Sequence, residues 1–335
     1  MAVADPASAQ SGRNPAAITD ASPGMRLAAI DLLRGVAIVA MVIYHTAFDL
    51  YADRLIATDV IDDLGWKLLA RLTAGTFLLL VGVGLVLATR HGFRRKTYLR
   101  RLAFIAGGAG LVTLGTWWFD PSTFVFFGIL HEIAVASVLA LPFLWLPVWL
   151  VAAAGTAIIA VPFYVANPLF DAPALWWVGL STEPPVTVDY VPVLPWFGVV
   201  LAGIVVGRLL VRHGGSLWQW RPTGVAARAL MRAGRWSLAI YLIHQPILVG
   251  LLAVVVTLLP PPGREVVRGR FVGQCVSACT SGESSANDCT ALCGCMFDGL
   301  YGTDLFAMKS LTAMSPDQLR RWNGLVDSCQ PQPSP

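Results

Sequence analysis

Apolar residues run in seven stretches, at about 27–50, 66–88, 102–119, 124–144, 148–165, 193–211 and 236–259, separated by short polar or charged segments. Most of them approach the roughly 20 residues that a helix needs to cross the hydrocarbon core of a bilayer. The pattern predicts an all-α fold, a polytopic membrane helix bundle of about seven transmembrane helices. The first stretch is apolar yet carries Asp31, Arg34 and His45. Three residues separate the first two, and the eleven from Arg34 to His45 make almost three turns, about 16 Å of rise. All three therefore lie along one stripe, expected to face the bundle interior. Ionisable groups in a span cost a few kcal/mol each, so the stripe is a candidate functional site.

Composition agrees with the pattern. Of 335 residues, 56% are hydrophobic and only 13% charged, and the mean hydropathy is +0.65. Residues 1–25 are rich in Ala, Ser, Pro and Asn and read as a disordered leader; 26–259 read as the membrane domain and 260–335 as a tail. Loop charge sets the expected orientation. Arg90, Arg94, Arg95, Lys96, Arg100 and Arg101 form one basic loop, and Arg208, Arg212, Arg221, Arg228, Arg232 and Arg235 another. The segment 49–65 is acidic, and 166–191 has no Lys or Arg. The positive-inside rule places the basic loops and the N-terminus in the cytoplasm and the tail outside. The Trp117-Trp118, Trp176-Trp177 and Trp196 positions fit anchoring at the outer interface.

Three further stretches place polar residues inside apolar runs. These are Phe127-Gly128-Ile129-Leu130-His131-Glu132, the segment from Asp189 to Gly198, and Ser237 to Pro246, where Ser237, Tyr241 and His244 form a second helical stripe. Counting turns from the expected boundaries puts His131 near His45, and His244 at the level of Asp31 and Arg34. Structural roles fit the same residues: an ion pair locking Asp31 to Arg34, or histidines bonded to nearby carbonyls. His45, His131 and Glu132 have side chains suited to zinc, but no His-x-x-x-His pair supports a metal site. No nucleic-acid-binding motif is present.

These stretches carry a family resemblance. Arg26-Leu27-Ala28-Ala29-Ile30-Asp31-Leu32-Leu33-Arg34-Gly35 with His45 resembles the opening of bacterial proteins similar to the heparan-alpha-glucosaminide N-acetyltransferase catalytic domain. Phe127 to His131, Val193-Leu194-Pro195-Trp196-Phe197-Gly198 and Tyr241-Leu242-Ile243-His244-Gln245-Pro246 fit the same family, and the resemblance covers about 26–258 in order. The Arg34-to-His45 spacing also resembles membrane acyltransferases that decorate exported glycans. The lysosomal enzyme carries its key histidine in the loop after its first such span, whereas Thr46 to Trp66 here holds none. The catalytic role is therefore carried to His45 through the second resemblance.

Together they imply an acyltransferase of the bacterial inner membrane, using acetyl-CoA as cosubstrate and a glycan or amino sugar as acceptor. His45 would be general base or transient acetyl carrier, Arg34 an oxyanion stabiliser oriented by Asp31, and His131 the neighbour of His45. His244 and the basic Arg94, Arg95 and Lys96 would serve the acetyl-CoA donor. A transporter or flippase, or an envelope scaffold, remains an alternative, because a polar column through a bundle also describes a substrate path.

All six cysteines (275, 279, 289, 293, 295, 329) lie in the tail. An even count in a short polar segment predicts disulfides in an oxidising compartment. Cys275 and Cys279, and Cys289 and Cys293, have i,i+4 spacing, which suits two antiparallel helices joined 275–293 and 279–289, with 295–329 remaining; fifteen connectivities are possible. Ser315-Pro316-Asp317 reads as a helix start. The tail is expected to rely on disulfides rather than on a core, and to meet an envelope partner; homo-oligomerisation of the chain is a further expectation.

Overall fold

The computed structural model describes residues 27–53, 55, 56, 58–213, 220, 222–258, 264–280, 285–307 and 314–330. The leader, Arg221 of the basic loops, and Met308 and Leu311 of the tail lie outside the described residues. The fold is all-helical, with no strand among the described residues. Among the described residues, five helices are long and apolar enough to cross a membrane. They are α1 (Ala28–Ala52), α2 (Leu64–Thr89), α3 (Arg95–Phe119), α6 (Val193–His213) and α8 (Ser237–Leu258). Between them stand α4 (Ile129–Leu139), α5 (Val148–Ala160) and the basic α7 (Val225–Arg235). The tail forms α9 (Arg264–Thr280), α10 (Ala286–Leu300) and α11 (Pro316–Cys329).

The expected fourth and fifth spans are shorter than their apolar runs. Only 11 residues of the fourth are helical, about 16 Å of rise against a hydrocarbon core of about 30 Å. Hydropathy misses the punctuation: the chain enters α4 through an extended Gly128, and past Leu139 Pro142 starts a separate 3-10 turn.

Two compact units divide the chain. The first comprises the described residues of Met1–Val36 and Thr76–Ser237, the second those of Ala37–Gly75 and Leu238–Pro335. In the first, glycines let helices approach backbone to backbone. A Cβ at Gly82 would strike the Val200 carbonyl on α6, and one at Gly203 would strike the Leu79 carbonyl on α2. Gly35 and Gly234 bring α1 and α7 together in the same way, each facing a carbonyl of the other helix, those of Leu230 and Asp31. Around the α2–α6 contact, Leu27, Ile30, Leu80 and Val83 form a buried cluster joined by Val206 and Leu210.

The segment between α5 and α6 is held largely by side chains and short 3-10 turns. Asp171 accepts from Ser181 Oγ (2.6 Å), Thr182 Oγ1 (2.6 Å) and the Thr182 amide (2.7 Å), while Tyr190 donates to the Trp176 carbonyl (2.7 Å).

In the second unit the tail helices carry all six cysteines as Cys275–Cys293, Cys279–Cys289 and Cys295–Cys329. This is the pairing expected for antiparallel helices, and no cysteine is free. Ser315 caps α11 with a full capping box, as its sequence predicts. Unlike the expectation of a module held by disulfides alone, a core is present: Met296, Leu300, Leu305 and Cys329 pack with Phe271, Trp322 and Leu325, around a fully buried Phe297. Arg264 and Arg268 both reach Asp298 (2.9 and 3.9 Å), so one carboxylate offsets part of the positive charge just past α8 within the module. Gln274 on α9 donates to the Tyr51 hydroxyl at the end of α1 (2.9 Å).

Candidate functional site

In the second unit, α1 and α8 face each other through four polar residues. The His45 and His244 rings lie 5.0 Å apart, centroid to centroid, in an edge arrangement. Four residues further along α1, Asp49 accepts the Gln245 side-chain amide on both oxygens, at 2.8 and 3.1 Å. Successive residues of α8 thus engage residues one turn apart on α1. Asp49 and His244 are both buried, at 9% and 8% exposure, while His45 is half-buried. His244 Nδ1 lies 2.7 Å from the Tyr241 carbonyl oxygen. The ring beside His45 is thus that of His244, where the sequence placed His131.

His131, in the first unit, has both ring nitrogens engaged. Nδ1 accepts from the Gly128 amide (3.3 Å), and Nε2 meets Thr113 Oγ1 (3.1 Å), whose own proton goes to the Val125 carbonyl (2.8 Å). With Asp189 Oδ2 accepting the Ile129 amide (3.0 Å), His131 caps the start of α4. In this arrangement both ring nitrogens of His131 have hydrogen-bond partners. Beside it, Glu132 is fully buried with neither carboxylate oxygen hydrogen-bonded.

Arg34 and Asp31 form an i,i+3 pair at 3.7 Å. Arg34 and Arg101 both extend over Gly84, a position whose Cβ would lie 3.6 and 3.7 Å from their guanidinium nitrogens. Two guanidinium groups thus lie close together over α2. Arg101 also lines a cavity of about 220 Å³ with Arg94, Tyr98 and Ser137. Arg95 and Lys96 begin α3 and are exposed.

Asp49, Gln245 and Arg101 were not among the site residues expected from sequence. Asp49 read as one more acid of a loop, Gln245 as a neighbour of His244, and Arg101 as loop charge. Helical spacing held a usable signal for the first, since His45 and Asp49 are i,i+4 on one face.

Residues 26–246 match the model of the heparan-alpha-glucosaminide N-acetyltransferase catalytic family. The chain belongs to this family. It is an integral membrane protein of acyltransferase type. No curated protein and no solved structure matches it. The matched region includes both clusters: Asp31, Arg34 and Arg101 in the first unit, and His45, Asp49, His244 and Gln245 in the second. Among the described residues, no group of three or more His, Cys, Asp or Glu side chains is placed to hold a metal ion.

Proposed function

We propose that this chain transfers acetyl from cytoplasmic acetyl-CoA to an amine or hydroxyl of an exported or envelope glycan or amino sugar. The observation that carries the reading is the His45–His244 pair, two imidazoles in contact between apolar helices within the family's catalytic region. Acetyl-CoA, when bound, supplies the acetyl group as an activated thioester: its C–S bond breaks, a C–N or C–O bond forms, and the acceptor's proton ends on the CoA sulfur.

The residues divide these tasks. His45 takes the proton from the acceptor and releases it, acting as general base. Arg94 and Arg101, on the walls of the 220 Å³ cavity, fit the phosphates of the donor, with Arg95 and Lys96 adding positive charge at the start of α3. Arg34 extends that cationic surface and Asp31 holds its side chain; eleven residues separate Arg34 from His45 on α1, so Arg34 serves the donor rather than the proton transfer.

The same reading places the basic loops and the N-terminus in the cytoplasm of a bacterial inner membrane, with the tail outside. Disulfide bonding of all six cysteines supports an exported tail. Purified protein incubated with labelled acetyl-CoA and glucosamine is expected to yield labelled N-acetylglucosamine. In proteoliposomes, glucosamine uptake that needs no acetyl-CoA, with no labelled product, would favour a transporter instead.

A further inference from the structure

Two buried acceptor atoms at adjacent positions of α8 have no donor. A carbonyl oxygen only accepts, so the 2.7 Å contact with Tyr241 places the ring proton of His244 on Nδ1 and leaves the lone pair on Nε2. That Nε2 is buried and unpartnered, on a residue only 8% exposed. Gln245 is fixed just as firmly. Its Nε2 donates to both Asp49 oxygens, and the reversed amide would set an oxygen against a carboxylate, so its Oε1 is the end left over. Oε1 is likewise buried and unpartnered. A buried acceptor without a donor costs about 1–3 kcal/mol, and native folds rarely leave two side by side. Both side chains belong to the face of α8 that meets α1, beside His45 and Asp49.

We propose that His244 Nε2 and Gln245 Oε1 form the acceptor subsite, binding a small polar molecule through its N–H and O–H groups: a primary amine flanked by hydroxyls, as in an amino sugar. Naming that molecule the acceptor rests on the acyltransferase reading; the binding itself does not. Two lone pairs select hydrogen-bond donors and disfavour phosphate oxygens, so in this assignment His244 serves the acceptor rather than the phosphates of acetyl-CoA. The Tyr241 carbonyl and the Asp49 carboxylate are then positioning groups, one fixing the imidazole tautomer and the other the amide orientation. Acetylation also weakens the product's hold. An amine offers two N–H donors, whereas the amide offers one and brings a carbonyl that would face the same lone pairs.

Calorimetry on the full-length protein in detergent tests the subsite, with glucosamine and N-acetylglucosamine as probes and thermal unfolding as the check on folding. Glucosamine is expected to bind at least tenfold more tightly than its N-acetyl product. His244→Phe keeps ring bulk without the lone pair, and Gln245→Met keeps chain length without the oxygen; each is expected to weaken glucosamine at least tenfold. Equal affinity in the wild type and a folded variant, or no glucosamine binding by the wild type, overturns the proposal. Binding that depends on His244 without any acetyl transfer keeps the subsite and removes the acyltransferase reading.

Discussion

Gln245 donates its side-chain amide to both oxygens of Asp49, at 2.8 and 3.1 Å, joining positions 196 residues apart. In the second unit this bond fastens α8 to α1 one turn beyond the His45–His244 contact. A hydrogen bond to a charged group contributes about 1.5–3 kcal/mol, and losing one partner leaves the other buried and unpaired. Asp49→Ala is therefore expected to lower stability by about that amount, read as a fall in the midpoint of thermal unfolding in detergent. An unchanged midpoint would mean that the contact does not hold these helices together.

Glu132 predicts a change of opposite sign. Both its oxygens are buried without partners, so the native residue carries an uncompensated desolvation cost. Glu132→Leu, of similar volume, is expected to stabilise the protein by about 1–3 kcal/mol. A higher unfolding midpoint together with lower acetyl transfer would mark Glu132 as a group kept for function at the expense of stability.

Helix approach in the first unit depends on Gly203, whose Cβ position is occupied by the Leu79 carbonyl. Gly203→Val must push α6 away from α2, and overpacking of this kind costs about 1–3 kcal/mol. The expected readout is a lower thermal midpoint, with a smaller loss at Gly107, where no neighbour stands within 4 Å of an added Cβ.

Asp171 sets a pH dependence in the segment between α5 and α6. Hydrogen bonds from Ser181 and Thr182 hold its carboxyl down to about 2, against a usual 3.8. A folded-state value below the unfolded one stabilises the segment fully above the unfolded value; that contribution fades as pH falls through about 2. Hydrogen exchange of residues 168–183 is expected to stay slow down to about pH 4 and to accelerate between there and pH 2. Asp171→Asn should remove most of this acid step.

Sequence and structure agree where apolar length or covalent chemistry decides. The spans at α1, α2, α3, α6 and α8 follow from runs too long for other uses, and the tail pairing follows from i,i+4 cysteines on two helices. Agreement ends where a side chain's partner lies far along the chain. Nothing local in Asp49 announces Gln245, and nothing local in His131 announces Thr113, whose hydroxyl meets its Nε2. Glu132 looked like half of a polar dipeptide, but its full burial depends on how α3 and α6 pack around α4. Span length failed at α4 for a different reason: hydropathy counts Phe124 to Phe127 as membrane helix, whereas the chain there is not helical and enters α4 through Gly128.

The most direct measurement is acetyl transfer from labelled acetyl-CoA to glucosamine by the purified wild type and by His45→Ala. General-base catalysis contributes about 10²–10⁴-fold, so the variant is expected to lose at least about 100-fold in kcat while its unfolding midpoint stays near that of the wild type. Transfer by folded His45→Ala at the wild-type rate would contradict the account.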